Sequence, residues 1–358
     1  MKIGIFGGSF NPVHNAHINI ANFAIETLEL DKFYFVPTFK SPFKKNEKSI
    51  DIKHRIKMLE LSKPEKSEIS LFEVKRKGVS YTIDTIKYFQ KKYPNSKLYL
   101  FIGSDNLPKL NKWKNIKEIS EIAKIIVFKR SKNINKINLK KYNCKLLNNK
   151  IYEISSTQVK KGDFSFLNPK VNEYIAENYL YIDDILKNTQ EAKRHKHSIA
   201  AGNLAAKYAQ NLKLNVKEAW FAGLCHDITK NWTLEKHRMF LKQNNIDDKK
   251  IKDYQLHQLT GSLWLKNVYK LKNENIIKAI SVHTSLAKNL SLLDKVVFMA
   301  DKLCQGRKFE GIQKIRKLSF ENFEEAFKLI VKKTKNFNLS KTDVSKEQLE
   351  IYNYLIEK

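Results

Sequence analysis

Cysteine is scarce in this 358-residue chain, with Cys144, Cys225 and Cys304 as the whole supply. Their odd number and wide spacing argue against a disulfide framework and against a cysteine-only zinc site, so all three are expected to be reduced. Long hydrophobic runs are missing too, since none approaches the roughly 20 residues that span a bilayer. The first residues lack the charged, apolar and then small layout of a secretory signal, so a cytoplasmic location with no membrane partner is expected. Neither a Gly/Ser-rich linker nor an internal repeat is found. Acidic residues are outnumbered, 37 Asp and Glu against 67 Lys and Arg, for a formal net charge of +30. The lysines are spread among Ile and Asn residues rather than gathered in a stripe or tail. Nucleic acid is therefore not expected as the main partner, whereas a positive field that attracts small nucleotides is.

What is present suffices for two domains, each with its own core: 42% hydrophobic and 29% charged residues, with 21 Phe and 15 Tyr among the former. Lys2 to Phe6 is a short apolar run, NAHINIANFAIETLEL has helical spacing, and KFYFVP is aromatic and β-branched. Strand and helix patterns keep alternating: EISLFEVKR as a strand, TIDTIKYFQKKY as a helix, KLYLFIG as a strand, a helix after DNLPKL, and KIIVFKR as a strand. Such alternation predicts an α/β fold, a Rossmann-like doubly wound parallel sheet. From about Ile185 onward only helical patterns follow one another, as in KHSIAAGNLAAKYAQNL and LLDKVVFMADKL. The expectation is an α/β domain over 1–184 and an all-α helical bundle over 185–358.

Between the first strand and the first helix stands GGSFNPVHNAH, Gly7 to His17. In a doubly wound sheet this is the crevice at the carboxyl ends of the strands, where ligands bind. Gly7 and Gly8 allow a phosphate close to the backbone, and the helix start favours an anion. His14 and His17 should sit one turn apart on one face. Beside a polyphosphate they would be readily protonated and could donate to oxygens that gain charge.

This stretch resembles the G-x-F-x-P-x-H-x-G-H signature of the nicotinate-nucleotide adenylyltransferases. VPTFKSPFK, YTIDT, IGSDNLPKLNKW and ISSTQVK follow in the family's order, over roughly residues 1 to 182. The resemblance implies transfer of AMP from ATP, with Mg²⁺, to nicotinate mononucleotide. It implies that Gly7, Gly8, Ser9, Phe10, His14 and His17 shape the ATP phosphate site, with the two histidines catalytic, and that Lys44 meets phosphate. It further implies Thr82 and Thr85 beside the mononucleotide, Gly103 and Asp105 at adenosine, Trp113 stacked on the pyridine, and Ser156 and Thr157 at the triphosphate. Three positions depart from the family pattern: Ala16 replaces a glycine, Phe43 a histidine, and Lys160 an arginine, which loses a bidentate fork.

The second half carries His197, His226, Asp227, His257, His283 and Asp301 on successive helical segments. Histidine and carboxylate without thiolate suit Fe, Mn, Zn or a similar divalent ion, and two such ions can clamp a phosphoryl group while activating water. The order H…HD…H…H…D resembles the HD-domain phosphohydrolases. R-x-x-H at Arg194, HD-x-x-K ending at Lys230, and H-T followed by LLDKVVFMADKLCQGR are similar to the subfamily that splits diadenosine tetraphosphate symmetrically into two ADP. The resemblance implies that His197, His226, Asp227 and Asp301 bind one metal, with Asp227 bridging and catalytic, and that His257 and His283 support a second. It implies that Lys230, also catalytic, and Arg307 hold phosphates. His195 and His237 fall outside the pattern and read as surface residues. Left open are another mononucleotide in the first domain, a guanosine polyphosphate or cyclic dinucleotide in the second, an inactive nucleotide- or RNA-binding protein, and the oligomeric state, a homo-oligomer included.

Overall fold

The computed structural model describes residues 1–43, 49–249, 251–341 and 344–357. The chain divides into two compact units, Met1–Val159 with Asp163–Tyr174, and Lys160–Gly162 with Ile175–Lys358. In chain order the first runs β1 (Lys2–Gly8), α1 (Asn15–Leu28), β2 (Lys32–Pro37), α2 (Ile52–Glu60), β3 (Ser67–Ile69), α3 (Phe72–Arg76), α4 (Thr82–Lys92) and β4 (Lys97–Gly103). After a 3₁₀ segment, Ser104–Lys112, come α5 (Ile116–Ile122), β5 (Ala123–Phe128), α6 (Lys136–Lys141), β6 (Lys145–Leu146) and α7 (Ser156–Val159).

The strands form one parallel sheet in the order β3-β2-β1-β4-β5-β6. The inner strands β1 and β2 are apolar runs because both faces are covered: Ile3 to Phe6 and Phe33 to Val36 are buried without a break. Tyr34, Leu98 and Leu100 pack with Ile86 and Phe89 of α4. Phe6, Phe33, Phe35 and Phe101 make an aromatic cluster, with ring centroids 5.2–6.2 Å apart. Successive crossovers leave β1 in opposite directions, toward β2 and toward β4, so the switch point lies at the carboxyl ends of β1 and β4.

The stretch EISLFEVKR is only partly the expected strand. Pairing stops at Ile69, and Phe72–Arg76 turns into the helix α3, where Phe72 stacks on Tyr88 of α4 at 4.3 Å and Glu73 Oε1 accepts the Thr85 hydroxyl at 2.7 Å. Five residues are too few for period alone to separate strand from helix.

Later elements are α8 (Pro169–Glu177), α9 (Ile182–Thr189), α10 (Ala192–Asn211), α11 (Val216–Cys225), α12 (Leu234–Gln243) and α13 (Asp253–Asn267). Then come α14 (Glu274–Val282), α15 (Leu292–Leu303), α16 (Ile312–Glu321), α17 (Phe323–Lys341) and α18 (Lys346–Glu357). Many begin at a side chain that accepts the first free N–H groups, namely Asn215, Thr233, Asn273 and Ser291. Helices α10 and α11 cross closely because Gly223 has no Cβ. One placed there would lie 2.8 Å from Ala205 Cβ and 2.9 Å from the Ala201 carbonyl. That approach sets His197 against His226. The core of this unit gathers Phe298, Met299, Phe327, Val331 and Tyr352. Among the described residues no helix is long and apolar enough to cross a membrane.

Candidate functional site

At the switch point a cavity of about 570 Å³ opens, within the range of nucleotide-sized ligands. Every expected residue of the first unit lines it except Lys44, which lies outside the described residues. Phe10 closes its floor in a left-handed conformation (φ 45°), a strain of order 1 kcal/mol. Its ring holds the position by edge contacts with Phe6 and Phe35 and by packing 5.2 Å from the His17 ring. Gly8 fits this arrangement, because a Cβ there would meet the Phe10 ring at 2.8 Å.

His14 is the N-cap of α1 and His17 lies in its first turn. Their rings stack at 3.7 Å, and the His14 N–H donates to His17 Nδ1 at 3.2 Å. Burial, then Arg130, lowers His14 to about 3. Burial, then His14 and Arg130, holds His17 well below the ordinary imidazole value. Burial and Arg130 thus favour the neutral form of both rings.

Other expected residues are partly committed. Thr85 donates to Glu73, Asp105 lies 3.5 Å from Arg130 Nη1, and the Ser156 hydroxyl donates to the Pro12 carbonyl at 2.8 Å. Ser156 and Thr157 begin a helix of only four residues. Two arginines went unread in the sequence. Arg130 lines the cavity and donates to the Ile154 carbonyl at 3.3 Å, while buried Arg55 donates to the Ser9 and Thr38 carbonyls at 2.7 and 2.9 Å. A lone arginine in a lysine-rich chain gives no signal of its own.

In the helical unit the six expected ligands come together, with four histidines around Asp227 and Asp301 against two of them. Asp227 Oδ2 is 3.4 Å from His226 Nε2 and 3.9 Å from His197 Nε2. Its Oδ1 is 3.3 Å from His257 Nε2 and 3.7 Å from His283 Nε2. Asp301 Oδ1 lies 3.0 Å from His197 Nε2 and 3.5 Å from His226 Nε2. Two candidate metal groups therefore share one carboxylate, His197–His226–Asp227 and Asp227–His257–His283. The donor set fits divalent ions. His226 and His283 point Nδ1 at the carbonyls of Gly223 and Ile280, 2.7 Å in each case, which turns Nε2 inward. His197 instead sets Nδ1 3.3 Å from the Cys304 sulfur.

Burial opposes charge on His226, but Asp227 and Asp301 together raise it to about 10. Burial opposes both carboxylates, yet Asp227 stays well below the usual range because of His226, and Asp301 because of Lys302, His197 and His226. Burial lowers His257 to about 2, with His283 adding to the effect. Cations rim the group. Arg194 Nη1 is 2.6 Å from Asp227 Oδ2, Arg307 Nη2 is 2.5 Å from Asp301 Oδ1, and Lys230 Nζ is 3.1 Å from His257 Nδ1.

His237 is not a surface residue. It is buried, with Nδ1 2.7 Å from the Thr260 hydroxyl and its ring 5.6 Å from that of Trp232. His195 is half-buried and meets Asp183 at 3.1 Å. His237 therefore departs from the surface reading, whereas His195 keeps an exposed contact.

A nucleotide-sized cavity at the switch point of a parallel sheet, joined in one chain to a helical unit with a histidine–aspartate centre, defines a nucleotidyltransferase-type domain fused to an HD domain. The cytidylyltransferase-like family matches residues 5–162, and the HD domain family residues 194–306. A Mycoplasma genitalium protein named "Probable nicotinate-nucleotide adenylyltransferase/Ap4A hydrolase" is 35% identical over 94% of this chain and 98% of its own. A Mycoplasma pneumoniae protein of the same name is 32% identical over 84% of this chain and 87% of its own. The chain belongs to this two-domain family. Among solved structures, a Clostridium acetobutylicum protein described as a "predicted HD superfamily hydrolase involved in NAD metabolism" aligns with TM-score 0.46 and 30% identity, over 50% of this chain and 97% of its own.

Proposed function

We propose that residues 1–184 transfer AMP from ATP to nicotinate mononucleotide, and that residues 185–358 hydrolyse diadenosine tetraphosphate to two ADP. The names of the two Mycoplasma relatives support both activities. The observation that carries the first is the stacked His14–His17 pair, with Arg130, in one cavity at the strand ends. A phosphate oxygen of the mononucleotide bonds to the α-phosphorus of ATP while the bond to the α–β bridging oxygen breaks. That electron pair leaves with pyrophosphate, and deamido-NAD remains. No side chain needs to be a nucleophile, so alignment and charge stabilisation do the chemistry. Next to a triphosphate with its Mg²⁺, the depressed imidazoles rise toward protonation and donate to oxygens gaining charge. Thr82, Thr85 and Trp113 border the pyridine, Gly103 and Asp105 the adenosine, and Ser156 and Thr157 the triphosphate.

The second activity rests on Asp227, whose two oxygens face two histidine groups. His197, His226, Asp227 and Asp301 would hold one divalent ion, and His257 and His283 with Asp227 a second, Fe or Mn suiting this donor set. Such ions supply positive charge to a phosphoryl group and acidify water. Arg194, Lys230 and Arg307 bind phosphate oxygens. Water attacks one of the two inner phosphorus atoms, the bond to the central bridging oxygen breaks, and both halves leave as ADP.

The test is product analysis on the full-length protein. With ATP it should consume nicotinate mononucleotide in preference to the amide, since a carboxylate gains more from donors and positive charge; equal turnover of the amide overturns that preference. With Mn²⁺, diadenosine tetraphosphate should yield ADP alone, and ATP with AMP as first products refutes the symmetrical cut.

A further inference from the structure

Beyond the residues matched by the HD family, α18 reaches the loop that follows His283. The connection begins at His283, which follows the last turn of α14. Two residues on, the Ser285 backbone is held from two sides. Gln258, the neighbour of His257 on α13, accepts the N–H groups of Thr284 and Ser285 on Oε1 at 2.9 and 3.1 Å. Its amide also donates to the Ser285 hydroxyl. Gln348 of α18 donates Nε2–H to the Ser285 carbonyl at 2.5 Å. Gln258, Ser285 and Gln348 are all buried, where an unmade hydrogen bond costs about 1–3 kcal/mol.

The tie bears on ligands because of what flanks it. The Thr284 hydroxyl lies 3.1 Å from His257 Nε2, and His283 Nε2 lies 3.2 Å from the same atom. A shift of this loop therefore moves His283 and Thr284 together against His257. Leu286, next along, is fixed in a left-handed conformation (φ 63°) and buried in the core that also holds Tyr352 of α18. His197, His226 and Asp301 stand on or at the ends of α10, α11 and α15, elements other than this loop.

We propose that Gln348 is a positioning residue for the second metal group, fixing His283 and Thr284 relative to His257 through the Ser285 carbonyl. This rests on the two-ion reading of the site. The role of α18 is thus part of the hydrolytic centre's construction, although no residue of α18 touches the ligands' inward-facing atoms.

The experiment is a calorimetric titration of metal-free, full-length protein with Mn²⁺. Wild type should take up two ions. Gln348→Met keeps length and packing but removes the donor, and it should weaken one of the two ions by about 10–100-fold, the range seen when outer partners of metal ligands are changed, with the other unaltered. Tyr352→Phe, on the same helix as Gln348, is the control: it removes the hydroxyl that accepts from Asn338 Nδ2 of α17 at 2.8 Å, and should lower the melting temperature without separating the two ions. If Gln348→Met fails to fold, Gln348→Glu, which sets an acceptor against the carbonyl, gives the same comparison. Two ions of unchanged affinity in the Gln348 variant, or equal weakening by both substitutions, overturns the positioning role. A single ion in wild type overturns instead the two-ion reading beneath it.

Discussion

Replacing Asp227 by Ala should collapse the helical centre and leave adenylyl transfer standing. The substitution removes two oxygens that lie 3.3–3.9 Å from four imidazole Nε2 atoms, so both candidate metal groups lose their shared ligand. Metal-free protein should suffer as well, because removing one partner of a buried charged group costs about 3–5 kcal/mol. Arg194, its nearest cation, keeps about a third of its side chain exposed, which favours the lower end. At roughly 2–4 °C per kcal/mol for a unit of this size, about 3 kcal/mol is a drop of ~6–12 °C in the helical unit's melting temperature. The pH dependence is a second signature. His226 is raised to about 10 by Asp227 and Asp301, so its stabilisation is complete below pH 6.5 and is lost as pH rises through 10. Asp227→Ala should flatten that alkaline decline. The assay is thermal unfolding with a chelator from pH 6.5 to 9.5, with Mn²⁺ titration and both reactions measured on the folded variant. Wild-type Mn²⁺ stoichiometry in the variant would refute the bridging role, and loss of adenylyl transfer in folded protein would refute independent sites.

Three further outcomes are expected. His14, lowered to about 3, stays neutral in the folded chain while the unfolded chain takes up a proton near 6.5, so it weakens the fold by about 2 kcal/mol at pH 5. His14→Gln should lessen the acid lability of the first unit, and a His14 imidazole titrating near 6.5 by NMR in ligand-free protein would contradict this. Arg130→Ala removes the cation nearest the stacked histidines and should lower kcat/KM for adenylyl transfer about 10²–10³-fold with Mn²⁺ binding intact; unchanged kinetics would take Arg130 out of the site. Gly223→Ala forces a Cβ to within 2.9 Å of α10, which should cost about 1–3 kcal/mol and loosen the ion held by His197 and His226, and unaltered melting and Mn²⁺ affinity would refute close packing as their organiser.

The sheet was legible because buried parallel strands leave unbroken apolar runs such as Ile3–Phe6 and Phe33–Val36, and helices between them keep a 3.6 period. Where elements shrink to a few residues, as at Ser67–Ile69 and Phe72–Arg76, pattern alone could not separate them. Candidate ligands were legible for a different reason: histidines and aspartates on separate helices in a fixed order carry a family resemblance that single residues lack. What stayed hidden were groups whose partners are set only by tertiary packing. Arg130, Arg55, Glu73, Cys304 and Gln348 have ordinary neighbours in sequence, and His237 looked solvent-facing until α13 supplied Thr260.

The two histidine clusters make the point in charge terms. Both are largely removed from water, and burial by itself would keep every imidazole neutral. At the switch point Arg130 acts on both His14 and His17, and His14 acts on His17 as well, so the neutrality that burial favours is reinforced beside a fixed cation that suits an incoming anion. In the helical unit Asp227 and Asp301 overcome the burial of His226 and hold a proton there, which a divalent cation can replace because it neutralises the same two carboxylates. His226 is thus tuned in the opposite direction from His14 and His17 by the two carboxylates beside it, while burial still holds His197, His257 and His283 below the ordinary imidazole value. The first setting is completed by a ligand that brings negative charge, the second by one that brings positive charge, and the carboxylates decide which is which.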